Sequence, residues 1–251
     1  MKKITVGILL AALVFSFAHA ETTEDIIKKI NAQYKGADKN IKTMEMEQTI
    51  TVVQEKENFV TTSKMQRKND KFRMEMTIPL EEGQEGMTTT ILFDGKDMWT
   101  LLPMVGKQKL SGKDAEKYEN EKEGHWWEDA DKMEYVGDEK VNGEDCYILV
   151  KKEDKSEVTR MWLSKTGLYP VKSETNVDKD KLITIYSDVK TVDGYKMPYK
   201  YSIYEKEKLI SEVQIKSMKI NIDLSDDLFD AEKLKSDVNV QDMFKGLMPK
   251  F

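Results

Sequence analysis

Residues 72–103 read FRMEMTIPLEEGQEGMTTTILFDGKDMWTLLP, and their periodicity decides the fold. Phe72, Met74, Met76 and Ile78 alternate with Arg73, Glu75 and Thr77. A period of two puts each set on one side of an extended chain, the mark of a half-buried strand. A Pro and a polar loop follow, then a second strand from Met87 to Phe93. Asp94-Gly95 signals a hairpin turn, because glycine takes positive φ without steric cost. Met98 to Leu102, with Trp99, makes the third strand.

The same pattern extends in both directions. Upstream, Met44, Met46, Gln48, Ile50 and Val52 alternate with Thr43, Glu45, Glu47, Thr49 and Thr51, and Phe59 to Arg67 forms a second strand after a polar turn. Lys107 to Leu110 follows as a short strand. Downstream, strands are expected at 133–136, 146–151, 158–163, 171–175, 182–189, 199–205, 209–216 and 218–222. Asn142-Gly143, Thr166-Gly167 and Asp193-Gly194 punctuate them. Short strands at regular spacing argue for a meandering antiparallel sheet or barrel. The strand–helix alternation of a parallel sheet is absent.

Before the strands, Ile26, Ile27, Ile30 and Tyr34 recur at helical spacing, so a helix is expected over 21–34. Thr22 and Asp25 form a capping-box-like start, and Gly36 is a plausible stop. Residues 111–131, SGKDAEKYENEKEGHWWEDAD, break the strand pattern. They read either as a solvated connection or as an insertion partly covering a pocket. Near the end, Val240, Met243, Phe244, Leu247 and Met248 share one face of a short helix.

The chain opens with MKKITVGILLAALVFSFAHA. A basic start, an apolar stretch and an Ala-His-Ala end read as a cleaved signal peptide over residues 1–20. A secreted protein is expected, with residues 21–251 forming a single domain. The net charge of the chain is −6, and loss of Lys2 and Lys3 with the leader takes it to −8. An acidic balance argues against nucleic acid as a partner and against electrostatic docking on anionic lipid. Cys146 is the only cysteine, so no internal disulfide is available, and its place on a strand face with Ile148 and Val150 reads as a buried thiol.

Catalytic motifs are sparse. His19 lies in the leader, leaving His125 as the one histidine after it, too few for the usual multi-histidine metal sites. The sequence has no G-x-S-x-G elbow, no Walker loop and no G-x-G-x-x-G. Carboxylates are abundant but scatter along charged turns, which reads as a solvated face. Asn176, Asp178 and Asp180 imitate the start of a calcium loop, but its glycine and final glutamate are missing, so a hairpin turn is expected. No metal, no cofactor and no enzymatic activity are expected.

Of 15 methionines, all but Met1 follow the leader, and many fall on strand faces. Methionine is flexible and polarizable, which suits irregular apolar surfaces as well as an ordinary core. The segments RKNDKFRME (67–75), FDGKDMW (93–99), MWLSKTGLYPVKSE (161–174) and INIDLSDDLF (220–229), with the leading helix, resemble the LolA/LolB-like superfamily of periplasmic lipoprotein-sorting carriers. The last of these looks like that family's closing strand and loop.

That resemblance implies a mainly β (α+β) fold, an incomplete antiparallel β-barrel wrapping around an N-terminal helix and short lid helices. It implies a carrier that binds acyl chains of lipoproteins or lipids in a hydrophobic half-barrel cavity and moves them toward the outer membrane. An inner-membrane donor protein and an outer-membrane acceptor protein would be its partners, and the carrier would be a monomer. The expected cavity residues are Ile27, Ile30, Met44, Met46, Ile50, Phe72, Met74, Met76, Met87, Ile91, Trp99, Leu101 and Met161. Arg67 and Arg73 are the candidates for the family's lid-latching arginine; Gln66-Arg67-Lys68 lacks the proline of the family motif. A non-transporting binding or sensor module recognising a partner protein on the same fold is the alternative, and a hydrolase ranks behind both.

Overall fold

The computed structural model describes residues 21–34, 40–79, 86–111, 130–152, 158–177 and 180–235. The expected leader, most of the 111–131 segment and the apolar tail around Val240 to Met248 lie outside the described residues.

The chain begins with helix α1, Thr23–Tyr34. Its start is the expected capping box with an aspartate in the third position. The Thr22 backbone N–H and hydroxyl both donate to Asp25 Oδ2, at 3.1 and 2.7 Å, and the Asp25 N–H donates back to Thr22 Oγ1 at 3.3 Å. Two otherwise orphaned backbone donors are thereby satisfied.

Two meanders follow. The first comprises β1 (Thr43–Val52), β2 (Phe59–Lys68), β3 (Lys71–Ile78), β4 (Met87–Phe93), β5 (Met98–Leu102) and β6 (Gly106–Leu110). The second comprises β7 (Met133–Val141), β8 (Glu144–Lys152), β9 (Val158–Ser164), β10 (Pro170–Val177), β11 (Asp180–Val192), β12 (Tyr195–Glu205) and β13 (Lys208–Ile220). Pairing of β1 with β13 joins them into one antiparallel sheet of 13 strands, ordered β6-β5-β4-β3-β2-β1-β13-β12-β11-β10-β9-β8-β7. The sheet is open, with β6 and β7 at its edges, and forms an incomplete barrel around α1.

Two strands differ from expectation in an instructive way. The break expected at Ser217 is a bulge inside one long strand. Glu47 faces Ser217 and Gln48 faces Ile215, so Lys216 is the extra residue. β7 runs on to Val141 instead of ending at Val136, past a register shift between Tyr135 and Gly137. Gly137 and the charges after it conceal a strand from hydrophobic periodicity.

The register fixes two faces. The inner face carries Met44, Met46 and Ile50 of β1, and α1 packs on part of it. Ile26, Ile30 and Tyr34 of α1 bury against Met44, Met133, Tyr147, Leu149, Met161, Leu163 and Leu168. The turn after β9 is the helix's dock. The Tyr34 hydroxyl donates to the Leu168 carbonyl at 2.8 Å, and burial pushes that phenol up to about 12. A Cβ at Gly167 would come within 2.7 Å of the Tyr169 ring, so glycine is required there. Ser164 and Thr166 donate to Glu144 Oε1 at 2.5 and 2.8 Å, which holds this carboxyl below its ordinary value near 4.5.

The outer face of β1 and β2 is polar. Lys64 meets Glu45 at 3.1 Å and Glu47 at 3.5 Å, and Gln66 donates to Glu45 at 2.8 Å. Exposed pairs of this kind contribute little each, but they mark the solvent side.

Two outcomes are expected. Ile30→Ala should lower the unfolding free energy by about 2–5 kcal/mol in a urea titration, because the site is fully buried. Glu144, Glu45 and Glu21 all have lowered pKa values, so their contributions are present above the ordinary carboxylate value and disappear as pH falls through the folded values. The thermal midpoint should therefore fall below pH 4.5, and Glu144→Gln should make that fall shallower.

Candidate functional site

The inner face reads as rows of side chains across neighbouring strands. One row runs Met218 (β13), Met46 (β1), Met65 (β2), Met74 (β3) and Ile91 (β4). Four methionines thus stand on four consecutive strands. With strands about 4.8 Å apart, the row spans about 19 Å. The next row is Ile215, Gln48, Ser63, Met76 and Thr89, and beyond it come Val213, Ile50 and Thr61. On the other flank, Val213 faces Tyr201, and Tyr201 faces Tyr186. The two tyrosine rings meet edge to face, 5.3 Å between centroids, and burial pushes the Tyr201 phenol up to about 12.

The cluster around α1 reaches Met44, Met65 and Ile220 but not the rest of this surface. Met46, Ile50, Met74, Met76, Met87, Val213 and Met218 are only half-buried. α1 occupies the end of the barrel where Met44, Leu168 and Tyr195 lie. At the opposite end are the β1–β2 and β5–β6 turns, since successive antiparallel strands alternate in direction. There the cross-strand pair Val52 and Phe59 is 39% and 41% exposed, and Met104 and Val105 are 61% and 60% exposed. The apolar wall therefore runs out to an apolar rim at the end away from the helix.

The expected cavity residues divide among different places. Met46, Ile50, Met74, Met76 and Met87 share the half-buried inner surface, with Phe72 and Ile91 buried beside them. Ile30, Met44 and Met161 face the same interior but are buried under or within α1's cluster. Ile27, on one side of α1, lines a cavity of about 310 Å³ with Thr23, Lys28 and Met133.

Trp99 and Leu101 are corrections. Trp99 pairs with Leu92 and Leu101 with Thr90, which puts both on the outer face, while Met98 and Thr100 face inward. β4 and β5 are apolar on both sides, because a C-terminal segment packs on their outer side. Two 3-10 turns, Asp226–Phe229 and Ala231–Lys233, bury Leu224, Phe229, Ala231 and Leu234 against Leu92 and Leu101. Here the closing strand and loop expected at 220–229 prove to be the end of β13 and the first of these turns.

Arg73 is a correction for the same reason. It alternates with Phe72 and Met74, faces outward, and its Nη1 donates to the Leu228 carbonyl at 3.2 Å while Nε donates to Glu75 at 3.0 Å. Lys68 Nζ reaches the Leu224 carbonyl at 2.8 Å and Asp226 at 3.0 Å, and Lys107 Nζ the Ala231 carbonyl at 3.0 Å. These cations clasp the carbonyls of the C-terminal segment on the outside of the sheet. Arg67 faces inward between Met44 and Phe72, with Nε donating to the Asn69 carbonyl at 3.1 Å.

A cavity of about 510 Å³ lies under the C-terminal segment, lined by Lys71, Asp94, Trp99, Asp226, Phe229 and Glu232. Its charged walls suit water better than an apolar ligand. Cys146 is buried, and burial pushes its thiol up to about 11, the setting of an inert structural cysteine. Met65, Met218, Val213, Tyr186 and Tyr201 were outside the expected set. Strand parity alone points to Met65, but the other four need the β1–β13 register to bring them alongside.

Arg73→Ala should loosen the 224–234 segment, read as faster proteolysis or hydrogen exchange there, without changing exchange in β1 and β2.

Residues 68–236 match the model of a family described as "Uncharacterized protein". No curated protein matches the sequence. A DUF1329 family protein from Desulfovibrio piger has 17% identity and a TM-score of 0.62, over 85% of this chain and 98% of that one. A LolA superfamily protein from Nitrosomonas europaea has 18% identity and a TM-score of 0.55, over 86% and 100%. A domain assigned to outer membrane lipoprotein sorting, from Vibrio parahaemolyticus, has 16% identity and a TM-score of 0.55, over 84% and 97%. The chain belongs to the family whose model it matches, and its fold is that of the LolA-like superfamily.

Proposed function

We propose that this protein is a periplasmic carrier that holds acyl chains of lipoproteins or lipids against its inner face and moves them toward the outer membrane. The observation that carries this reading is the half-buried methionine surface beyond α1, continuous with an exposed apolar rim. A wall of flexible thioether side chains adapts to chains of differing length and branching. The likeness in fold to a LolA superfamily protein and to a domain assigned to lipoprotein sorting agrees with it. Among the described residues, no helix is long and apolar enough to cross a membrane.

The energetics suit reversible capture. Each buried CH₂ contributes about 0.8 kcal/mol, so a long acyl chain gains roughly 10 kcal/mol before ordering costs. Those costs, and a groove that opens at the rim, keep binding weak enough for hand-over. α1 and the inner strand faces would hold the cargo, and the chemistry requires no covalent step.

The test is titration of a fluorescent fatty acid into the purified protein. Met46→Glu and Met76→Glu should each weaken binding at least about tenfold, because an unpaired carboxylate in an apolar groove is strongly disfavoured. Glu57→Gln, in the exposed β1–β2 turn, should leave binding unchanged. Unchanged affinity in both methionine variants would remove the inner face as the binding surface.

A further inference from the structure

We propose that Ser63 and Gln48 form a polar subsite within the inner face that hydrogen-bonds the carbonyl oxygen of an ester- or amide-linked acyl chain. This deepens the carrier reading and rests on it. Ser63 faces Gln48 on one neighbouring strand and Met76 on the other, in the row next to the methionine row. It is 4% exposed, and its hydroxyl has no hydrogen-bond partner, the one buried side-chain oxygen or nitrogen so placed among the described residues. A buried hydroxyl left unpaired destabilises a fold, and strand backbone groups are already engaged in the ladders on both sides. Gln48, half-buried beside it, makes no side-chain hydrogen bond among the described residues.

The chemistry selects an acceptor. The Ser63 O–H and the Gln48 amide N–H both donate, and adjacent strands bring them together. A plain alkyl tail offers these donors nothing. A free carboxylate would bring a charge into a row whose other members, Ile215, Met76 and Thr89, carry none. A neutral carbonyl fits, and acyl chains are joined to glycerol by esters and to an amino terminus by an amide. In the free protein the flexible side chains of the adjoining Met65 and Met76 can close over the hydroxyl, and they can move aside for a ligand. The subsite would set the depth of the linkage, with the alkyl chain running along the methionine row.

The experiment compares two soluble probes that differ at one carbonyl. They are 1-palmitoyl lysophosphatidylcholine, an ester, and its 1-hexadecyl ether analogue, each displacing a fluorescent fatty acid from the whole protein. Wild type should bind the ester about two- to tenfold tighter than the ether, the range of a single neutral hydrogen bond. Ser63→Ala should abolish that preference, keep the ether affinity, and melt no lower than wild type, because it removes only an unpaired hydroxyl. Equal binding of ester and ether by wild type would overturn the subsite while leaving the carrier reading intact. Persistence of the ester preference in both Ser63→Ala and Gln48→Leu would overturn it as well. Failure of wild type to bind either probe, with no displacement, would overturn the carrier reading and this inference with it.

Discussion

The pairing of β1 with β13 is the constraint on which the molecule depends. It joins Thr43–Val52 to Lys208–Ile220, segments at opposite ends of the described chain, through nine facing pairs of residues. Each meander could form from local hairpins, but neither encloses an interior by itself. Pairing them places Met46 beside Met218 and Ile50 beside Val213, and makes one curved surface from two half-sheets. The bulge at Lys216 keeps Met218 and Ile220 on the inside after the register shift, so both halves present apolar side chains to the same space. Long-range pairing of this kind is slow to form, because its loop entropy is lost before its contacts are gained.

Once that surface exists, α1, the 12-residue helix of the described residues, is too small to cover it. α1 fills one end and the β7–β9 flank, where Ile26, Ile30 and Tyr34 are buried. The β13–β1–β2–β3 sector keeps half-buried methionines instead. The C-terminal segment covers a different region, the outer side of β4 and β5, and is held there by Lys68, Arg73 and Lys107. Helix and outer clasp supply burial, and under the proposed carrier reading the inner sector is where an apolar guest would lie.

Strand alternation made much of this legible from the sequence. Phe72, Met74 and Met76 against Arg73 and Glu75 gave the correct inner and outer assignment for β3, and the same reasoning held for β1. It failed where both faces are apolar. In Met98-Trp99-Thr100-Leu101-Leu102 a period of two cannot distinguish a core face from a face covered by a later segment, so Trp99 and Leu101 were assigned to the wrong side. Arg73 is a lid-latch candidate, with Arg67, by resemblance alone, although its alternation with Phe72 already places it outside. Val213, Tyr186 and Tyr201 were illegible for another reason. Their membership in the site depends on a register between distant strands, which local pattern does not encode. Ser63 was hidden too, since a serine in a strand reads as solvent-facing until its burial is known.

The central claim is that the half-buried methionines of the inner face contact the acyl chain. The most direct measurement is methyl NMR of the protein labelled with ¹³C at its methionine methyl groups, titrated with a spin-labelled stearic acid. The account predicts selective broadening of Met46, Met74, Met76 and Met218, and little effect at Met161, which is buried in the cluster around α1. Broadening confined to exposed Met104, or no broadening at saturating ligand, would contradict it.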